Sequence, residues 1–278
     1  MHGARRDFLL GTCGVAIAAL FPSWGRAASI GATSAAAHRP WKTPPVEPAL
    51  AARIKAISNV FEVGKAQPDY AYVEKLNDGR GYTVTNYGFC TSTGEVSTVI
   101  RRYSIVVPNN PLKRFLALMR PAREQVAGLD DFPAAWREQA HASDRLAAVC
   151  EQVADKLFFK PAMRAAQVAD IRTPVGKLVF YDTWLQHGGD TDPDSFKTIY
   201  SRTRRSVGDR RHCAEPDFLR AFLTIRKGIL LDPSDSSTAA VWQQSAPRVD
   251  ALLKLLDDNP DLDPPVTVAN AEISVVVD

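Results

Sequence analysis

Two carboxylates sixteen positions apart, Glu62 and Asp78, stand in surroundings that separate them chemically. Glu62 lies at the end of a helix read from the apolar stripe Leu50, Ile54, Ile57 and Phe61, with Gly64 placed to stop it. A carboxyl there feels the negative end of the helix dipole and tends to keep its proton. Asp78 sits in the run Asn77-Asp78-Gly79-Arg80-Gly81-Tyr82-Thr83, where Arg80 holds a neighbouring carboxylate ionised. One acid bearing hydrogen and one bare base is the pairing that hydrolysis of a glycosidic bond uses. Each piece alone has a plainer reading, a solvated helix glutamate and a tight Asp-Gly turn.

The elements that must carry these groups follow from periodicity. The stripe from Leu50 to Phe61 predicts a helix, and the alternation of aromatic and β-branched residues over Tyr82 to Thr91 predicts a strand or hairpin closed by Ser92-Thr93-Gly94. Beyond residue 110 the pattern turns helical, with stripes Leu112, Phe115, Leu116, Met119; Trp136, Val149, Val153, Leu157; and Val175, Leu178, Val179, Leu185. Two more follow: Phe218, Leu219, Phe222, Ile225, Ile229, and then Val241, Val249, Leu252, Leu256. Mostly helices with one small sheet near the front is an α+β layout with a cleft between two lobes.

The chain has 278 residues, 45% hydrophobic and 23% charged, as expected of a globular protein able to bury a core. Residues 1–28 read as an export signal: Arg5-Arg6-Asp7-Phe8-Leu9-Leu10-Gly11, an apolar run to Phe21, and small residues at Ala27-Ala28 suited to cleavage. The paired arginines favour twin-arginine export, with an ordinary secretory signal or a membrane anchor as the alternatives. Residues 29–46, with Pro40, Pro44 and Pro45, read as a flexible linker, and 47–278 as the catalytic domain. Formal net charge is +3, but without the first 28 residues 31 basic residues face 30 acidic ones, so nucleic-acid binding is not expected. No later segment nears the roughly 20 apolar residues of a membrane span. Cys90, Cys150 and Cys213 form no Cys-x-x-Cys pair, so no metal site is expected; one disulfide with a free thiol, or three free cysteines, are equally open. A monomer needing no cofactor is the expectation.

The order of the front-lobe pieces carries a resemblance: a helix with terminal Glu62, Tyr70-Ala71-Tyr72, Asp-Gly-Arg-Gly-Tyr-Thr, a strand, then Gly88-Phe89 and Thr91-Ser92-Thr93-Gly94. Behind it come Phe180-Tyr181-Asp182, His187-Gly188, Ile225-Arg226-Lys227, Arg248-Val249-Asp250 and Asn259-Pro260-Asp261-Leu262-Asp263-Pro264-Pro265. Together, over residues 50 to 268, these resemble the glycoside hydrolase family 46 chitosanases. The resemblance implies a lysozyme-like, two-lobed fold that cleaves β-1,4 links of chitosan with inversion, Glu62 as general acid and Asp78 as general base, their carboxyls about 6.5 to 9.5 Å apart.

The same resemblance implies roles for further residues. Thr83 matches a water-positioning threonine and Arg80 an arginine beside the base. Gly88, Glu95, His187, Gly188 and Glu215 match positions that line the cleft or hold sugar amines, and Asp182 matches a buried aspartate paired with arginines, one of them Arg226 and the other Arg204 or Arg205. Plain readings compete: a core histidine for His187, a helix-start acid for Glu215, a structural ion pair for Asp182. This sequence departs from the family pattern at Glu95, one methylene longer than the usual aspartate, at Val63, where asparagine is usual, and in a slightly shorter loop from Glu62 to Asp78. The rival functions are a lysozyme-like hydrolase of peptidoglycan or partly acetylated chitin, and an exported glycan-binding protein without catalysis.

Overall fold

The computed structural model describes residues 45–75, 80–119, 126–236, 239–271 and 273–278. Asp78 and the stretch read as an export signal, residues 1–28, lie outside the described residues, as does all but the end of the stretch read as a linker.

Helix α1 (Pro48–Val63) begins on Glu47, whose carboxylate accepts from the Ala49 and Leu50 amides, and ends on Gly64 at φ +71°, whose amide donates to the Val60 carbonyl. A left-handed cap suits glycine because it lacks a Cβ, so the stop anticipated at this residue has a physical cause. Ile54, Ile57 and Val60 enter the core, while Ser58, Asn59 and Glu62 are buried on the same helix. Three short strands follow, β1 (Val73–Lys75), β2 (Tyr82–Val84) and β3 (Phe89–Cys90), in one antiparallel sheet of that order. The alternating stretch from Tyr82 is therefore a hairpin, turned through Thr85 to Gly88.

Helix α2 (Glu95–Val106), a 3-10 turn (Pro111–Ala117) and α3 (Phe132–Ala142) complete the front. Trp136 on α3 and Val149 on α4 (Asp144–Ala154) belong to separate helices because Ser143 is extended between them. A single π-turn (Asp155–Phe159) carries α4 into α5 (Lys160–Val168). Helix α6 (Pro174–His187) is buried almost throughout, which is why its apolar residues are not confined to one stripe, and it carries Asp182, Thr183, Gln186 and His187 into the interior with them. Packed around it are α7 (Phe196–Val207), α8 (Glu215–Leu231), α9 (Ala239–Gln244) and α10 (Pro247–Asp258). Phe180 of α6 meets Phe196 and Phe222, each with ring centroids 5.2 Å away. Burying each such ring stabilises the fold by roughly 1.5–3 kcal/mol.

A second antiparallel sheet, β4 (Val266–Ala269) with β5 (Ser274–Val277), adds to the expected one. Its Val-Thr-Val alternation, with Val266 and Val268 buried and Thr267 exposed, is the period-2 signal of a half-buried strand. Cys90, Cys150 and Cys213 are all free, which decides between the two open cysteine readings.

Two glycines test the packing. A Cβ on Gly189 would fall inside the Trp184 indole, whereas Gly228, within α8, has open space around it. Gly189→Ala is expected to destabilise by about 1–3 kcal/mol through overpacking. Gly228→Ala is expected to stabilise by about 0.5–1 kcal/mol through its lower backbone entropy when unfolded. Denaturant unfolding of the two variants beside the parent checks the opposite signs.

Candidate active site

The last turn of α1, the middle of α6 and the first turn of α10 meet in a buried set of charges. Asp182, fully buried, accepts from Arg248 Nε at 2.8 Å and Arg248 Nη2 at 2.6 Å, from Arg226 Nη2 at 2.8 Å, and from Ser58 Oγ at 3.1 Å. The same Arg248 Nη2 donates to Glu62 Oε1 at 2.7 Å. Glu62 is 2% exposed, and its other oxygen, Oε2, has no hydrogen-bond partner among the described residues. Arg248 thus anchors one edge of the Glu62 carboxyl and leaves the other to carry a proton.

Burial raises the Glu62 carboxyl above its ordinary value, against the opposing pull of Arg248. Burial would raise Asp182 also, but Arg248 and Arg226 together outweigh it and hold that carboxyl below its ordinary value. Two acids in one buried cluster are therefore pushed apart, one toward keeping its proton and one toward losing it. Burial pulls Arg226 down to about 10 although Asp182 opposes it.

Arg226 Nε donates to His187 Nε2 at 3.2 Å, so Nε2 is an acceptor and Nδ1, 2.8 Å from the Asp194 carbonyl, carries the hydrogen. Burial, with Arg226 beside it, drives the His187 imidazole well below its ordinary value. His187, read from the resemblance as lining the cleft, is instead fully buried and neutral behind the charge cluster. The following Gly188 caps α6, with its amide on the Trp184 carbonyl.

Arg205 is exposed, and the second partner of Asp182 is Arg248, not Arg204 or Arg205. Arg248 stands in the first turn of α10, where a cation opposes the helix dipole, and the Asp182 and Glu62 carboxylates offset that cost. Glu215 also differs from expectation. Its buried carboxylate accepts from the Arg172 and Thr173 amides at 2.9 and 3.0 Å, from Thr173 Oγ1 and from Arg210, which satisfies it within the protein and leaves the helix-start reading.

In the front lobe, Thr83 is fully buried on β2, opposite Glu74 on β1 and Cys90 on β3, so the three side chains share one face of the sheet. Glu74, which motif reading passed over, accepts from Tyr72 Oη at 2.8 Å and lines a cavity of about 600 Å³ with Asp69, Arg137 and His141. Asp78 falls in the connection between β1 and β2, outside the described residues. Arg80 is buried at 9% exposure, and its carbonyl accepts from the Ser92 amide and hydroxyl. Gly88, at φ +67°, closes the hairpin turn. Glu95 opens α2 with Oε2 turned back to the Cys90 amide at 3.4 Å and to Thr93 Oγ1.

Two contacts tie this sheet to the helix bearing Glu62. Asn86 Nδ2 in the hairpin turn donates to Asn59 Oδ1 at 2.8 Å, and Glu151 of α4 receives Tyr70 Oη, Tyr87 Oη and, at 3.0 Å, Lys55 Nζ of α1. Among the described residues no group of His, Cys, Asp and Glu is arranged to hold a metal ion, and no helix is long and apolar enough to cross a membrane.

A mainly helical, lysozyme-like fold with a small sheet beside a buried, raised glutamate defines a glycoside hydrolase. The glycosyl hydrolase family 46 model matches residues 56–266, and the chain belongs to that family. The chitosanase of Bacillus subtilis (strain 168) is 36% identical over 227 residues, covering 79% of this chain and 82% of the relative. That of Streptomyces sp. (strain N174) is 31% identical over 211 residues, 73% of this chain and 71% of the relative. Among solved structures, the native chitosanase of Bacillus subtilis MY002 superposes with a TM-score of 0.78 at 33% identity, covering 84% of this chain and all of that one. The family 46 chitosanase of Gynuella sunshinyii, in complex with chitotetraose, superposes with a TM-score of 0.77 at 31% identity, covering 84% and 99%.

Arg248→Ala is expected to cost about 3–5 kcal/mol of stability, because it strands buried Asp182 with one cation instead of two. Asp182 has a lowered folded-state pKa, so its contribution is full above its ordinary value of 3.8 and is lost as pH falls through the folded value. Removing Arg248 raises that folded value, so acid unfolding of the variant should begin at a higher pH than in the parent. Circular dichroism during acid titration of both proteins reads the difference.

Proposed function

We propose that the protein is an exported endo-chitosanase that hydrolyses β-1,4 links between glucosamine units with inversion. The observation that supports this most is the state of Glu62: buried, its pKa raised, anchored through Oε1 and unpartnered at Oε2 among the described residues. In this reading Glu62 protonates the glycosidic oxygen as the bond to the anomeric carbon breaks. Asp78, supplied by the resemblance of the Asp-Gly-Arg-Gly run, takes a proton from water attacking the opposite face of the oxocarbenium-like centre. Thr83 holds that water and Arg80 keeps Asp78 ionised and oriented.

Glucosamine polymers carry cationic amines at and below neutrality, and Glu74 and Glu95 put negative charge on the sheet side where such a chain would lie. The relatives support the substrate, being chitosanases, one of them in complex with chitotetraose. The paired arginines near the N-terminus support twin-arginine export, and the catalytic unit acts as a monomer without metal or cofactor.

Glu62→Gln and Asp78→Asn should each lower kcat on chitosan by about 10²–10⁴-fold while leaving oligosaccharide binding largely intact. Proton NMR of the first product should show the α-anomer; a β-anomer overturns inversion, and degradation of peptidoglycan but not chitosan overturns the substrate.

The pH–rate profile carries a second test. A general acid works only while protonated, so activity should persist above the ordinary glutamate value of 4.5 and fall as pH rises through the raised value of Glu62. An alkaline limb at or below the ordinary value would remove Glu62 from the acid role.

A further inference from the structure

We propose that Cys90 is a positioning residue for the hydrolysis, acting through Thr83: its thiol fixes the direction of the Thr83 hydroxyl hydrogen and so makes Thr83 an acceptor toward the attacking water. The inference rests on the reading of Thr83 as the residue that holds the nucleophile. Thr83 and Cys90 are directly paired across β2 and β3, both buried, with Oγ1 and Sγ 3.4 Å apart. Across that gap either atom can donate. A third group decides between them, because Cys90 Sγ also lies 3.2 Å from the Gly88 carbonyl, which can only accept. A thiol has one hydrogen. With it directed to Gly88, sulfur is the acceptor in the Thr83 pair and the hydroxyl is the donor.

Thr83 Oγ1 is then left with lone pairs alone to offer any other partner. That polarity suits hydrolysis. The attacking water must aim a lone pair at the anomeric carbon and give one hydrogen to the base, so its second hydrogen needs an acceptor, which Thr83 provides. A Thr83 hydroxyl turned the other way would donate to the water oxygen, drawing electron density from the attacking atom and leaving the second hydrogen without this acceptor. The atoms balance without Cys90 changing state. Water oxygen bonds to the anomeric carbon as the bond to the glycosidic oxygen breaks, the water hydrogen passes to Asp78, and the Glu62 hydrogen passes to the leaving oxygen. Cys90 remains a thiol throughout, in keeping with its burial and its lack of a disulfide.

The test is steady-state hydrolysis of glucosamine hexamer by Cys90→Ala, Cys90→Ser, Thr83→Ala and the double alanine variant, with thermal unfolding of each. Cys90→Ala should lower kcat by about fivefold or more with KM within about twofold, the pattern of an interaction made in the transition state. Cys90→Ser, whose hydroxyl can both donate to Gly88 and accept from Thr83, should recover most of that loss. In the Thr83→Ala background, Cys90→Ala should cost nothing further, because the group it directs is gone. Wild-type kcat in Cys90→Ala beside an impaired Thr83→Ala overturns the proposal, as do additive losses. If Cys90→Ala proves unstable, the serine variant decides: stable folding with kcat lowered about fivefold or more relative to wild type overturns it. Wild-type kcat in Thr83→Ala overturns the role of Thr83 itself, and the proposal with it, in a measurement Cys90 does not enter.

Discussion

Asp182 is the constraint around which the back of the molecule is arranged. A fully buried carboxylate is tolerated only where hydrogen bonds and opposite charge replace the water it has lost. Here two guanidiniums and a serine hydroxyl do so, drawn from α8, α10 and α1. Two cations against one fixed anion leave a surplus positive charge in the interior, and Glu62 is the group placed to answer it. With Glu62 protonated the cluster carries an excess of one; once Glu62 gives up its proton, the cluster is neutral and the new carboxylate already faces Arg248. Burial keeps the proton on until it is needed, and Arg248 ensures that losing it does not strand a bare charge. The acid role proposed for Glu62 needs both, and neither helix α1 nor Arg248 supplies both alone.

The front lobe answers a different requirement, that of keeping a small sheet in fixed register with α1. Three strands of two or three residues cannot hold themselves in place. Glu151 gathers Tyr70 and Tyr87 from either side of the sheet and Lys55 from α1 onto one carboxylate, and the aromatic faces of Tyr87, Phe89 and Phe158 stack behind it. Asn86 and Asn59 add a direct bond one turn before Glu62. The π-turn at Asp155–Phe159 matters here because it brings Asp155 to the same Lys55 Nζ, at 2.5 Å, as well as Phe158 to the sheet. The separation of Glu62 from the face bearing Thr83 is thus set by side-chain bonds, with little help from strand pairing.

What could be read from the chain divides along the same physical line. Local signals were legible: the stripe and glycine stop of α1, the Thr83 hairpin, and the apolar pattern Val175, Leu178, Val179 and Leu185 of α6 follow from periodicity and turn chemistry. The partner of Asp182 was not, because a buried ion pair joins residues 66 positions apart and several arginines suit the composition equally. Arg205 lies on an exposed helix face, whereas Arg248 opens a helix, and only tertiary packing tells which one is recruited. His187 and Glu215 show the limit of transferring roles through resemblance: both residue types do chemistry, yet here each has its polar atoms occupied by the protein. Glu74 shows the opposite case, since a glutamate in a three-residue strand carries no motif, and only register places it beside Thr83.

Glu95 shows how one methylene changes a site without changing its charge. Because the side chain is longer than an aspartate, its carboxylate can turn back past the start of α2 and accept from the Cys90 amide and the Thr93 hydroxyl. Its position in the first helical turn is favourable for an anion, so the helix dipole adds to those bonds. The negative charge is therefore tethered to the end of β3, next to the residue that pairs with Thr83. A sugar amine drawn to that charge would meet a carboxylate with one oxygen already committed, and so with less freedom to follow it. The same bond steadies the Cys90 backbone, so the carboxylate at position 95 is linked to the strand that pairs with Thr83.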